Sequence, residues 1–274
     1  MPSKYPTTGE VADPMTGMHL ALLATNITVG DHVKGALLGL QLNMDTVWAT
    51  GVAMVVTIAL GLLLRAKATS GVPGKFQLAW EMGVTATKKQ VEANIGPRGA
   101  RIVPLAIALF VFILISNMFE IFGLGSKVEL LPAPTADINL PLALALFVIV
   151  LVHFASIRTR GIGGYVKHYL VQPFPIYLMP FNLFINLVEE IAKPITLALR
   201  LFGNLFSGGL MLTLLAALVA WTLGPVPMGG IAVLIFDPVW KLFDGLLIAT
   251  IQAFIFALLA ILYFETAMTD IGGH

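Results

Sequence analysis

Cysteine is absent from this chain, which excludes disulfides, thiolate nucleophiles and thiolate-ligated metals. Charge is also scarce. Asp, Glu, Lys and Arg make up 11% of the 274 residues, where a soluble domain carries about 25%. Sixteen basic against fifteen acidic side chains leave a formal net charge of +1. That balance lacks both the basic excess that nucleic-acid binding needs and an acidic tail, so nucleic acid is not an expected partner. The five histidines, His19, His32, His153, His168 and His274, lie too far apart in sequence to suggest a metal cluster. A basic region followed by a clean apolar core is missing near the N-terminus, where Asp13, Asp31, His32 and Asp45 fall instead, so no cleaved signal peptide is expected. There is no internal repeat and no low-complexity segment, and Asn26-Ile27-Thr28 is too short a match to a glycosylation sequon to carry weight.

What fills the chain is apolar. Hydrophobic residues make up 58% of it and mean hydropathy is +0.90, so a bilayer rather than water is the expected solvent. A spanning helix needs about 20 largely apolar residues, because every backbone polar group must be satisfied within the segment. Stretches 47–64, 102–122 and 140–157 qualify. After Pro173 and Pro175 come two longer ones, 178–223 and 231–264, separated by Gly224-Pro225-Val226-Pro227-Met228-Gly229-Gly230, which reads as the tip of a helical hairpin. At roughly 46 and 34 residues, these two are expected to be tilted, broken or partly outside the bilayer, with Pro194 a candidate bend. The expected fold is an all-α integral membrane protein with about five crossings that end in this long tilted hairpin. As a single membrane domain, it divides into an outer N-terminal segment (1–46), the first three spans with their loops (47–177), the hairpin (178–266) and a cytoplasmic tail (267–274).

Lys and Arg favour the cytoplasmic side. The segment after the first span holds Arg65, Lys67, Lys75, Lys88, Lys89, Arg98 and Arg101, and the one after the third holds Arg158, Arg160 and Lys167. Both are expected inside. The intervening loop, with Glu120, Glu129, Asp137 and Lys127, faces outward, as does the N-terminus. Within the first basic segment, residues 76–91, with Trp80, Met82 and Val84 among polar neighbours, fit either a helix on the cytoplasmic surface or a loop.

Polar residues inside the hairpin are few and regularly placed. Asn186, Glu190, Lys193, Arg200, Asn204 and Ser207 recur at spacings of three and four, with Leu197 at the skipped step, so they share one helix face. A mid-membrane arginine costs about 2.5–3.5 kcal/mol on insertion scales. Snorkelling at a helix end accounts for such a cation at Lys193 better than at Arg200, which is set among Leu197, Leu199, Leu201 and Phe202. The returning stretch carries Asp237, Lys241, Asp244 and Gln252, again on one face. Arg200 and Gln252 each lie 26 residues from Val226, which puts them at equal depth if the hairpin pivots there. Asp244 then falls at the level of Gly208, where Ser207, Gly208 and Gly209 leave room for water or for close helix approach. Glu189, Glu190 and Asn186 occupy the cytoplasmic half, whereas Asp244, Asp237 and Glu120 occupy the outer half. Polar groups reaching from each face toward one central cation suggest two aqueous half-paths that do not meet. His153, alone in an apolar stretch, reads as a satisfied core residue rather than a catalyst.

The run Lys193-Pro194-Ile195-Thr196-Leu197-Ala198-Leu199-Arg200-Leu201-Phe202-Gly203-Asn204 resembles the signature of subunit a of bacterial F-type ATP synthases. Gln252-Ala253-Phe254-Ile255-Phe256 resembles that family's second signature, and Asn117-Met118-Phe119-Glu120 and Pro134-Thr135-Ala136-Asp137-Ile138-Asn139 resemble its outer-loop elements. The resemblance implies a stator in a bacterial plasma membrane that translocates protons against a ring of c subunits, with b-type peripheral-stalk subunits as further partners. It implies no cofactor, no metal and no catalytic residue in this chain alone. Arg200 corresponds to the family's essential arginine, Asn204 to its companion and Gln252 to the glutamine facing them. The family's frequent acid nine positions after the arginine and histidine seven before the glutamine are Gly209 and Gly245 here, which leaves Asp244 as a candidate replacement and Glu120 as a candidate entrance group. A secondary transporter and a membrane-embedded enzyme are the rival classes; the first lacks the internal repeat and the second lacks a catalytic set within a span.

Overall fold

A computed structural model of the chain describes residues 34–37, 40–69, 71–122, 133–171, 174, 176–223, 238–240 and 242–268. The hairpin tip at 224–230, Asp237, Lys241 and the loop residues Lys127 and Glu129 lie outside them. Two short strands, β1 (Lys34–Leu37) and β2 (Leu40–Asn43), pair antiparallel with Lys34 opposite Asn43, an element that hydropathy gave no reason to expect. Beside short 3-10 and π turns, the described residues form six α-helices: α1 (Met44–Lys67), α2 (Lys75–Ile95), α3 (Val103–Phe122), α4 (Asn139–Val171), α5 (Met179–Leu223) and α6 (Ala249–Met268). Four stretches are long and apolar enough to cross a membrane, namely Met44–Lys67, Gly99–Phe119, Asn139–Val171 and Pro238–Met268. The 45-residue α5, with Glu189, Glu190, Lys193 and Arg200, is a further long helix, and it continues through Pro194.

The chain divides into two compact units, one of Met1–Asp31 with Ser207–Trp240 and one of His32–Phe206 with Lys241–His274. In the first, the described residues are the end of α5 and 238–240. The second contains the other elements and the core.

Alanines interleave with larger apolar residues in that core. Leu109 and Ile113 of α3, Ala145 and Val148 of α4, Leu197, Ala198 and Leu201 of α5, and Ala253, Phe256 and Ala260 of α6 form one buried cluster. Lipid tails are as apolar as leucine, so membrane helices associate through close packing, which alanines permit. On α1, Thr46, Ala49 and Ala53 are buried at helical spacing, and Phe119 of α3 packs against the two alanines. Its large residues Trp48, Val55, Ile58 and Leu62 are exposed, as lipid-facing side chains would be.

Segment 76–91, left open between helix and loop by the sequence, is helical as part of α2. Val91 is its buried residue, packed with Val103, Ala106 and Ile261. The segment after the third span differs from expectation. Instead of becoming a loop near 157, α4 continues to Val171 across a sharp break at Gly161 (φ 71°, ψ 165°). That conformation is essentially confined to glycine.

Candidate functional site

The α5 helix turns Leu197, Ala198, Leu201 and Leu205 into the protein and leaves Arg200 and Asn204 on its exposed side. The neighbour of Arg200 in sequence, Leu199, is an exposed apolar side chain. A cation among apolar neighbours is expensive to hold in a bilayer unless a second surface meets it. One turn further on, Asn204 Nδ2 donates to Gln252 Oε1 at 2.7 Å. Gln252 itself is buried on α6, beside the core residues Ala253 and Phe256. The two helices predicted to face each other therefore do so, with Gln252 against Asn204, one turn beyond the level given by counting from Val226.

Ten residues before Arg200, about 15 Å along a helix, lies a denser cluster. Glu190 Oε1 accepts from Lys193 Nζ at 2.8 Å and from Tyr169 Oη at 2.9 Å, while Glu190 Oε2 is 3.2 Å from His153 Nε2. Lys193 Nζ also lies 3.1 Å from Glu189 Oε1. Asn186 Nδ2 donates to the Tyr169 carbonyl at 2.7 Å, and Asn182 binds the backbone of Leu170 and Phe174. Behind the imidazole, Tyr165 Oη is 3.2 Å from His153 Nδ1. Since Nε2 faces a carboxylate it carries the proton, so in the neutral ring Nδ1 accepts and Tyr165 donates. Residues 153 and 165 are twelve apart, about 18 Å along a straight helix. Their contact follows from the break at Gly161, which turns residues 162–171 back alongside α4.

Asp244 is 2% exposed and lies in a single π-helical turn, Phe243–Ile248, where the Ala249 N–H reaches the Asp244 carbonyl five residues back. Such turns interrupt the regular helical phase and recur at functional sites. At Gly245 a Cβ would collide with Ile121 Cγ1 of α3, so the position is closed to any larger residue as packed. Gly209, in contrast, has no atom within 4 Å of where a Cβ would lie. Ser207 is exposed. Glu120 belongs to α3, and its side chain lies outside the described residues.

Of the residues singled out in the sequence, the structure brings Asn186, Glu189, Glu190 and Lys193 into one cluster and joins Asn204 to Gln252. Sequence reasoning missed His153, Tyr165 and Tyr169 as members of the first cluster. It also missed that the run Pro134-Thr135-Ala136-Asp137-Ile138-Asn139 is a clasp. Asp137, 6% exposed, accepts from Asn43 Nδ2 (2.6 Å), Thr46 Oγ1 (3.0 Å) and both the backbone and the side chain of Asn139 (3.1 and 2.8 Å). Beside it, Thr135 Oγ1 donates to Asn117 Oδ1 at 2.6 Å, both residues fully buried. A Thr-Ala-Asp-Ile-Asn run is the one local signal for it, since Asp and Asn bind nearby backbone in turns.

The family model of the ATP synthase A chain matches residues 46–265. The chain is 47% identical over 254 residues to ATP synthase subunit a of Acidothermus cellulolyticus, covering 92% of this chain and 87% of that one. It is 46% identical over 256 residues to the subunit of that name from Mycobacterium bovis, with 90% and 96% covered. For the Coxiella burnetii protein of the same name the identity is 36% over 235 residues, with 82% and 85% covered. Apolar helices of spanning length and a match across most of its residues make this chain a bacterial membrane protein that belongs to the ATP synthase A chain family.

Proposed function

We propose that this chain is the stationary proton-channel subunit in the membrane sector of a rotary ATP synthase, held by b-type stalk subunits and facing a c-ring. Arg200 separates two offset half-paths. Asn186, Glu189, Glu190 and Lys193 belong to the cytoplasmic one, and Asp244, Ser207 and Glu120 to the outer one. Asn204 and Gln252 hold the two helices in register beside the arginine. The N-terminus is outside and the C-terminus inside, following the distribution of Lys and Arg. The observation that carries this reading is the exposed Arg200 on the polar face of α5, backed by a packed core and an Asn204–Gln252 bridge.

The mechanism follows from elementary electrostatics. A ring carboxylate in lipid is favoured as the neutral acid, and one opposite a guanidinium as the anion. It therefore gives up its proton to one half-path on approaching Arg200 and takes one from the other after passing. Arginine stays charged at working pH and relays no proton, which keeps the two paths from short-circuiting. The membrane potential contributes about 2.3 kcal/mol per charge per 100 mV and sets the direction. Arg200→Ala is expected to abolish proton-driven ATP synthesis in inverted membrane vesicles while the complex still assembles. Wild-type synthesis by that variant would sink the proposal.

A further inference from the structure

The cluster around Glu190 contains two adjacent carboxylates in different surroundings. The Glu190 side chain is 21% exposed and is met by three donors from two helices: Lys193, Tyr169 and His153. The Glu189 side chain is 56% exposed, and its one partner among the described residues is Lys193. Protonating Glu190 would disrupt a donor contact and leave Lys193 with a single carboxylate beside it. Protonating Glu189 breaks no other bond, because Lys193 keeps Glu190 2.8 Å away as its counter-charge. The constant anion lets its exposed neighbour gain and lose a proton without leaving a buried charge unpaired.

We propose that His153 is a positioning residue for proton transfer. With Tyr165 behind it and Tyr169 beside it, it fixes Glu190 as the clamp between the folded-back segment 162–171 and α5, and Glu189 is the carboxylate that exchanges protons with the cytoplasm. This rests on the proton-channel reading above and divides the work between two acids that the sequence treats alike. Two other titratable groups border the cluster. The His168 ring stands edge-on to Tyr169 with centroids 5.6 Å apart, and Arg160 is held by its 2.6 Å bond to the Thr266 carbonyl.

The test uses intact synthase in native membranes, with passive proton conduction measured after the catalytic head is stripped, per assembled complex, as a function of pH on the cytoplasmic face. Glu189→Gln is expected to slow conduction several-fold and to flatten its dependence on cytoplasmic pH. Glu190→Gln and His153→Phe slow conduction but keep the shape of that dependence, and their double variant is no slower than the slower single, because both loosen one clamp. His153→Gln, which keeps a donor toward Glu190, restores most of the rate. If His153→Phe fails to assemble, Tyr165→Phe removes one hydrogen bond from the same ring and gives a smaller loss with an unchanged pH profile. Flattening by Glu190→Gln but not by Glu189→Gln would overturn the proposal, as would a wild-type rate in both His153→Phe and Tyr165→Phe. Arg200→Ala tests the broader reading separately. If that variant is inactive while Glu189 and Glu190 behave alike, only the division of labour fails.

Discussion

Asp137 and Glu190 each collect hydrogen-bond donors on one carboxylate, yet their settings differ in almost every other respect. Asp137 is closed off at 6% exposure, and among the described residues the neutral side chains of Asn43, Thr46 and Asn139, from the starts of two helices, donate to it. Glu190 is more open, shares an ammonium with a still more exposed acid, and sits on the helix that bears Arg200. A carboxylate buried among neutral donors works as a pin, because any change of charge would strand its partners. One that shares its cation with an exposed acid keeps its own charge and sits beside a group whose charge can change. Both lie in segments rich in Asp, Glu, Asn and Thr, and tertiary packing alone separates their roles.

The comparison is broken most forcefully at the pin. Asp137→Ala takes the acceptor from Asn43, Thr46 and Asn139, and a hydrogen bond to a charged group contributes about 1.5–3 kcal/mol. The expected outcome is little assembled complex in the membrane, read by quantitative blotting, with the residual complex conducting protons at normal rates. Normal assembly with slowed conduction would make Asp137 part of the path instead of a pin.

Gly161→Ala acts on the other region. Nothing lies within 4 Å of its Cβ position, so the cost is the backbone conformation alone, about 1–3 kcal/mol. Straightening the break would pull Tyr165 and Tyr169 from His153 and Glu190. Conduction per complex is expected to fall alongside a lower thermal midpoint of the assembled complex. A lower midpoint with unchanged conduction would uncouple the folded-back segment from the path.

Gly245→His restores a residue type that the family resemblance leads one to expect, but here it meets Ile121. Overpacking of this kind costs about 1–3 kcal/mol. The expected result is reduced assembly that Ile121→Ala in the same chain partly recovers. Equal assembly of the single and double variants would mean that α3 yields at that point and that its packing does not explain the glycine.

Much of this was legible in the sequence. Apolar runs of spanning length located α1, α3 and the start of α4, and the three-and-four spacing of Asn186, Glu190, Lys193, Arg200 and Asn204 gave the face they share. A symmetric count about a Pro/Gly turn brought Gln252 within one turn of its partner. The misses have a common cause. Periodicity describes one helix at a time, whereas the contact of His153 with Glu190 depends on two helices meeting and that of Asn43 with Asp137 spans 94 positions. At Gly161 the basic residues around the break read as a loop, because glycines in such a run, here Gly161, Gly163 and Gly164, do not distinguish a turn from a helix folding back. The π-turn at Phe243–Ile248 inserts one residue into the helical phase, which no hydropathy pattern reports.

The smallest predicted effect tests the pin at its edge. Thr135→Val keeps the shape and removes the hydroxyl that donates to Asn117 Oδ1, both residues being fully buried. A lost neutral hydrogen bond costs about 0.5–1.5 kcal/mol, and more when its acceptor stays buried and unsatisfied, as the Asn117 oxygen would. A fall of a few degrees in the thermal midpoint of the complex is expected, with proton conduction and its pH dependence unchanged. Changed conduction at an unchanged midpoint would place Thr135 and Asn117 among the groups that handle protons and would extend the outer path into the clasp. The difference between Asp137 and Glu190 would then be one of exposure alone, not of role.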